Sequence, residues 1–384
     1  MDVSIFIMNL GKRSSALVRR IFHLPGVVGS LSSAASSCNR SRFCNRISME
    51  GFHLANGATH PLTKVLFCGL QFPSSFGYTK ECLANYPNIQ VDAIAHEEIP
   101  NKIQDYDLCI VRMMRFDADL IARAKKLKLF MQFGVGIEGI DIAAATKAGM
   151  KVAKIPGDTS GNALSCAEHA IYLMLALLRD QREMYNCLQQ EQIGVPIGQT
   201  LYGKTVLILG YGNIGKELAA RLKPFGVNIL AIKRSWGSHD ASDLVHEKGV
   251  NDQLLDFTRR ADIIVTCCSL TPETVGIINA EVLGALKKGG YVVNIARGGL
   301  IDYKAVKTAL EAKHLGGLGL DVAWFEPFDP TDPILKYPNV IMTPHVAGVT
   351  ELSYRNMAKT VADVALQIQA GGDIASIKDI EIVN

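Results

Sequence analysis

Three polar residues each stand a step beyond an apolar run: Arg297 in "VVNIARGGLID" (292–302), Glu326 in "GLGLDVAWFEP" (317–327) and His345 in "VIMTPHVAG" (340–348). An arginine offers a fixed fork of donors that suits a carboxylate and a carbonyl oxygen. A histidine can give and take a proton near neutral pH, and a carboxylate bonded to it orients the ring and favours its charged form. Together they are an anchor, an acid and an orienter. Those are the parts needed to reduce a 2-oxo acid, a proton reaching the carbonyl oxygen as hydride reaches the carbon. Taken singly, each has a plainer reading: a buried loop histidine, a surface glutamate and a structural ion-pair arginine.

A second stretch supplies a place for a hydride donor. "LILGYGNIGKELAARL" sets Gly210, Gly212 and Gly215 in the GxGxxG spacing, after a strand-like run and before a helix-like one. The first glycine permits a tight turn, the second lets the backbone approach a pyrophosphate, and the third lets helix and strand pack closely. The strand end that commonly holds a ribose-binding acid about 20 residues further on reads "AIKRS" here, with Lys233 18 residues past Gly215. A carboxylate there would repel a 2′-phosphate, whereas Lys233 and Arg234 can pair with it. The stretch therefore predicts NADP(H) over NAD(H), with NAD(H) as the other choice if the two cations are only a solvated loop.

These residues must be positioned by a sheet whose strand ends share one side. From about residue 62, "KVLFCGL", "VDAIA", "LCIVRM", "LKLFMQF" and "MKVAKIP" alternate with helix-like stretches. A second series runs through "KTVLILG", "VNILAI", "ADIIVTCC", "YVVNIA", "LGGLGLDV" and "NVIMTPH". Such alternation signals α/β units with doubly wound parallel sheets. Between the two series lies "GNALSCAEHAIYLMLALLR" (161–179), apolar almost all round. A helix of that kind is buried inside a domain or against a second subunit.

Composition fits this plan. The chain has 384 residues, 48% hydrophobic and 20% charged, enough for two domains. Its net charge of +3 is uneven: residues 1–48 carry seven cations against Asp2, a net +6, and leave the remainder at −3. That mildly acidic body predicts no nucleic-acid partner, and no apolar run is long enough for a membrane span. The leader is rich in serine and arginine, and it reads as a transit peptide for a mitochondrion or a chloroplast, with a disordered tail as the alternative. A start at Met49 would give a cytosolic form. Nine scattered cysteines show no metal-binding spacing and read as small apolar residues in a reducing compartment.

From about residue 63 to the end, the chain resembles the D-isomer-specific 2-hydroxyacid dehydrogenases. The motifs are "NIARG", "LDVAWFEP" with Glu326 29 residues after Arg297, and "TPH". The resemblance implies a Rossmann-type dinucleotide-binding domain (159–347) and a smaller flavodoxin-like substrate domain (62–158 and 348–384), with the active site in the cleft between them. It makes Arg297 the substrate anchor, Glu326 the partner of the histidine, and His345 the acid/base. It is similar also in "FGVGIEGID", where backbone N–H groups around Val135 and Gly136 would receive the substrate carboxylate. Asp321 then joins Gly210, Tyr211, Gly212, Asn213, Ile214, Gly215, Lys233 and Arg234 as cofactor contacts, and the helix 161–179 becomes part of a homodimer interface. His169 on that helix is not a second base.

Within that family, Glu326 argues against formate as substrate, because the formate enzymes carry glutamine there. NADPH favours reduction, so the resemblance implies a reductase of glyoxylate, hydroxypyruvate or a related 2-oxo acid that yields a D-2-hydroxy acid. Met113 and Met114 in "VRMMRFDAD" would make the pocket bulkier, or simply fill a core. Trp324 and Phe325 would shield the site or pack against a neighbouring loop. The alternatives are an NAD-dependent phosphoglycerate dehydrogenase-like enzyme and a non-catalytic, dinucleotide-sensing scaffold.

Overall fold

The apolar runs become two sheets in the computed structural model, which describes residues 61–237, 240 and 243–384. The leader 1–48 and Met49 lie outside the described residues. In the first sheet β1 (Thr63–Cys68), β2 (Ile89–Ile94), β3 (Leu108–Val111), β4 (Leu129–Gln132) and β5 (Lys151–Lys154) run parallel in the spatial order 2-1-3-4-5. A short β13 (Glu381–Ile382) closes its edge antiparallel to β5. This is the flavodoxin-like order, and it reverses between β1 and β3.

The second sheet contains β6 (Thr205–Leu209), β7 (Asn228–Ile232), β8 (Glu247–Gly249), β9 (Ile263–Thr266), β10 (Gly290–Asn294), β11 (Leu315–Leu320) and β12 (Val340–Met342). All pairs are parallel, in the order 8-7-6-9-10-11-12, so the Rossmann-type reversal falls between β6 and β9. Every residue of β9 and β10 is buried. Strands covered on both faces read as unbroken apolar runs, which is why "IIVT" and "GYVVN" show no alternation. Ligands bind outside the carboxyl ends of such strands, at the reversal.

The apolar helix Asn162–Leu178 lies in the core of its own chain. Its Ala167, Ala170, Leu173, Met174 and Leu177 share one buried cluster with Val206, Ile208, Leu218 and Val293. Glycines on β11 let it come close: a Cβ on Gly317 or Gly319 would stand 3.0 Å from Leu177 Cδ2 or 3.2 Å from Leu173 Cβ. Burial within its own chain covers most of its apolar surface, and only Tyr172 among its large apolar side chains is well exposed. Cys68, Cys109, Cys166 and Cys187 are buried, in line with their apolar surroundings in the sequence. Among the described residues no helix is long and apolar enough to cross a membrane, and no cluster of His, Cys, Asp and Glu could hold a metal.

Candidate active site

Arg297 follows β10, and its backbone is fixed by the strand's last residue. Asn294, fully buried, donates to the Arg297 carbonyl at 2.8 Å and accepts from Thr266 Oγ1 at 2.7 Å. Gly298 next to it touches the Ala323–Trp324 backbone where any Cβ would collide. The segment carrying Glu326 is thus seated directly on the one carrying Arg297.

His345 ends the short run after β12 with a left-handed backbone, φ 56°, a conformation that few non-glycine residues adopt and that surrounding bonds must enforce. Asp321 supplies them. Its carbonyl accepts from His345 N at 2.9 Å, and its carboxylate accepts from Val346 N and Ala347 N at 2.8 Å each and from Thr343 Oγ1 at 2.6 Å. Expected among the cofactor contacts, Asp321 is 1% exposed and holds the histidine loop. His169 braces the same loop through Thr343 Oγ1 at 2.8 Å. Burial pushes its imidazole down, against the opposing pull of Asp321.

The His345 imidazole meets Glu326 directly, Nδ1 to Oε2 at 2.8 Å. Burial alone would raise the Glu326 carboxyl. The bond from His345, its charge, the Ala323 N–H and the Arg297 charge outweigh that and hold it below its usual value. From the first sheet, Phe72 sets its ring edge-on to His345, with centroids 6.4 Å apart. Phe72 is held by Arg112, which donates to the carbonyls of Phe72 and Gly69 at 3.0 and 2.9 Å and to Ser75 Oγ at 2.7 Å. Burial lowers this guanidinium to about 10, which leaves it charged.

Arg297 faces the loop after β4. Its guanidinium lies against Gly136, where a Cβ would overlap it, and Glu138 takes Nε and Nη2 at 3.5 Å each. The backbone N–H groups of Val135 and Gly136 make no hydrogen bond among the described residues. Free donors beside a guanidinium suit a carboxylate.

The glycine turn fits a dinucleotide. Gly210 takes φ 105° and lies so close to the Cys267–Cys268 backbone that a Cβ would collide, and Gly215 is pressed onto the Gly210 carbonyl. Gly212 alone has open space where its Cβ would be. It precedes the helix Asn213–Leu222, whose first N–H groups are unpaired, as at any helix start. Asn213 is exposed and Ile214 partly buried. Two of the expected cofactor contacts have side chains engaged within the chain. Tyr211 is 0% exposed, its ring 5.1 Å from Trp236, so only its backbone can reach a cofactor. Lys233 is not a free cation: it pairs with Asp240 at 2.7 Å, and Lys216 pairs with the same carboxylate at 3.0 Å. The carboxylate that pairs with both lysines is thus Asp240, outside the strand end at 232–235. Arg234 remains exposed.

Of the aromatic pair, Trp324 packs, donating to Ile301 O at 2.7 Å and standing edge-on to Tyr303, while Phe325 is 86% exposed. Met114 packs against the first-sheet core and Met113 is 41% exposed.

Residues 171–347 match the model of the NAD-binding domain of the D-isomer-specific 2-hydroxyacid dehydrogenases. The chain is also 33% identical over 287 residues to a glyoxylate reductase from Thermofilum pendens, spanning 72% of this chain and 82% of that one. The chain belongs to the D-isomer-specific 2-hydroxyacid dehydrogenase family. A D-3-phosphoglycerate dehydrogenase from Archaeoglobus fulgidus is 34% identical over 284 residues, 72% of this chain; this dehydrogenase-family chain spans 52%, about half, of that relative. A solved NADPH-dependent glyoxylate/hydroxypyruvate reductase from Sinorhizobium meliloti, in complex with NADP and malonate, superimposes with a TM-score of 0.68 at 27% identity. The superposition covers 79% of this chain and 93% of that one.

Proposed function

We propose that the protein reduces a 2-oxo acid of the glyoxylate or hydroxypyruvate type to a D-2-hydroxy acid with NAD(P)H, NADPH preferred. The observation that carries this reading is the 2.8 Å contact between His345 Nδ1 and Glu326 at strand ends that also present Arg297. The N–H groups of Val135 and Gly136 bind the substrate carboxylate, and Arg297 reaches across to carboxylate and carbonyl oxygen, displacing Glu138. A reduced nicotinamide, when bound along the glycine turn, supplies the hydride. His345 donates from Nε2 to the carbonyl oxygen and keeps Nδ1–H on Glu326, so the neutral ring left behind has a defined tautomer. Arg297 polarises the carbonyl and stabilises the charge gathering on its oxygen.

A second reading concerns the substrate's side chain. Leu70, Met113 and Val135, at the carboxyl ends of β1, β3 and β4, are 61%, 41% and 44% exposed, and Phe72 stands among them. Exposed apolar groups at adjacent strand ends favour a longer, apolar 2-oxo acid over glyoxylate. Steady-state oxidation of NADPH and NADH with glyoxylate, hydroxypyruvate and 2-oxoisocaproate ranks these readings. No turnover with any of them, alongside tight dinucleotide binding, would leave a sensing scaffold.

The assembly we propose is a homodimer. Tyr185, Leu188, Ile193, Ile197 and Tyr202 are 64%, 71%, 98%, 94% and 80% exposed along one stretch, an apolar surface that a second copy would cover. We further propose that residues 1–48 direct the chain to an organelle. A fluorescent fusion left in the cytosol would contradict that.

A further inference from the structure

Beside the glycine turn lies an anion cradle already filled from within the chain. Lys216 extends from the first turn of the helix Asn213–Leu222 and Lys233 from the end of β7, and their Nζ atoms close on the two oxygens of Asp240 at 3.0 and 2.7 Å. The Gly237 N–H donates to the same carboxylate at 2.8 Å. Three donors from three segments thus converge on a side chain that is 5% exposed, while the side chains of Lys216 and Lys233 stay 37% and 31% exposed. Asp240 is linked to the glycine turn: Lys248 donates to the Asp240 carbonyl at 3.2 Å and lies 4.8 Å from the Trp236 ring, and Trp236 packs on Tyr211. Paired ammoniums with a backbone N–H are the donor set of a phosphate site, and the end of the second Rossmann strand is where the adenosine 2′ position is read.

We propose that Asp240 is an internal competitor for the 2′-phosphate of NADP(H), and so sets how strongly the protein favours NADP(H) over NAD(H). The proposal deepens the cofactor reading above and rests on it. Carboxylate and phosphate claim the same two lysines. The phosphate brings more charge and three acceptor oxygens, so it can displace the carboxylate, but only against the bonds that Asp240 already makes. NAD(H) has no group for the cradle and leaves Asp240 in place. A carboxylate that read the ribose hydroxyls would instead need oxygens open to O–H donors, and both oxygens of Asp240 are held by cations.

Isothermal titration of the full chain with adenosine 2′,5′-bisphosphate and with 5′-ADP tests this without any turnover. Asp240→Asn should bind the bisphosphate about tenfold tighter than the natural chain, the size of one charge-assisted hydrogen bond, with 5′-ADP changed by less than about twofold. Lys233→Met should weaken the bisphosphate and, combined with Asp240→Asn, cancel the gain. Unchanged or weaker bisphosphate binding in a folded Asp240→Asn protein overturns the proposal. A selective loss of 5′-ADP binding overturns it too and assigns Asp240 to the ribose. If the natural chain binds neither ligand, the dinucleotide reading itself fails and takes the proposal with it.

Discussion

His345 and Glu326 share one proton-handling unit, and the geometry assigns them different losses. Replacing His345 with Asn removes the proposed proton donor and should lower kcat by about 10²–10⁴, the usual worth of a positioned acid, with dinucleotide affinity retained. Glu326→Gln keeps the size of the side chain but loses the charge beside the imidazole. The folded Glu326 carboxyl is held below its ordinary value of 4.5, so the bond to His345 contributes stability above that pH, and the contribution is lost as pH falls through the depressed folded value. Glu326→Gln should therefore melt slightly lower than the natural chain at pH 7, by about 1 kcal/mol or less for so partly exposed a pair. The gap should close below pH 4.5; a gap that widened with acid would contradict the pairing. Asp321 acts at one remove. Asp321→Asn turns an N–H toward donors that now meet an oxygen, at about 1–3 kcal/mol of stability, and by loosening the His345 loop should lower kcat about tenfold to a hundredfold while leaving the KM for the dinucleotide almost unchanged.

At the scale of elements, the glycine turn separates folding from binding. Gly215→Ala forces a Cβ onto the Gly210 carbonyl and should destabilise the protein by about 1–3 kcal/mol. Gly212→Ala meets nothing in the ligand-free protein. It should keep the melting temperature yet weaken NADPH by about tenfold or more, because the new methyl stands where a pyrophosphate approaches; an unchanged Kd would remove the dinucleotide from this turn. Such local roles were legible in the sequence because GxGxxG, the apolar strand runs and the residues just past them are short-range signals. Arg297, Glu326 and His345 stood out for the same reason. What escaped was set by tertiary contact. The three-residue β8 and two-residue β13 have no apolar period to reveal them, and Asp240 reaches Lys216 across a loop. Arg112 sat inside a quoted stretch, but its role depends on a hydroxyl and two carbonyls 37 to 43 residues away. Tyr211 was grouped with its glycine-turn neighbours, and only the fold shows its ring turned into the core.

For the whole molecule, the two sheets present their carboxyl strand ends toward one crevice, where Gly136 and Phe72 of the first meet Arg297 and His345 of the second. The apolar stretch 184–202 is largely exposed, and sedimentation of the full chain should give a dimer. Ile193→Asp with Ile197→Asp should shift it toward monomer; a monomeric natural chain would leave that surface to another partner. Whether the crevice residues reduce a 2-oxo acid is tested by setting the natural chain beside His345→Asn, following NADPH oxidation with hydroxypyruvate and 2-oxoisocaproate and measuring NADPH binding in parallel. Turnover by the natural chain with at least one acid, lost by about 10² or more in the variant at unchanged NADPH affinity, is the result expected of His345 as the proton donor. Equal turnover by the two proteins, or none by the natural chain although it binds NADPH, would contradict it.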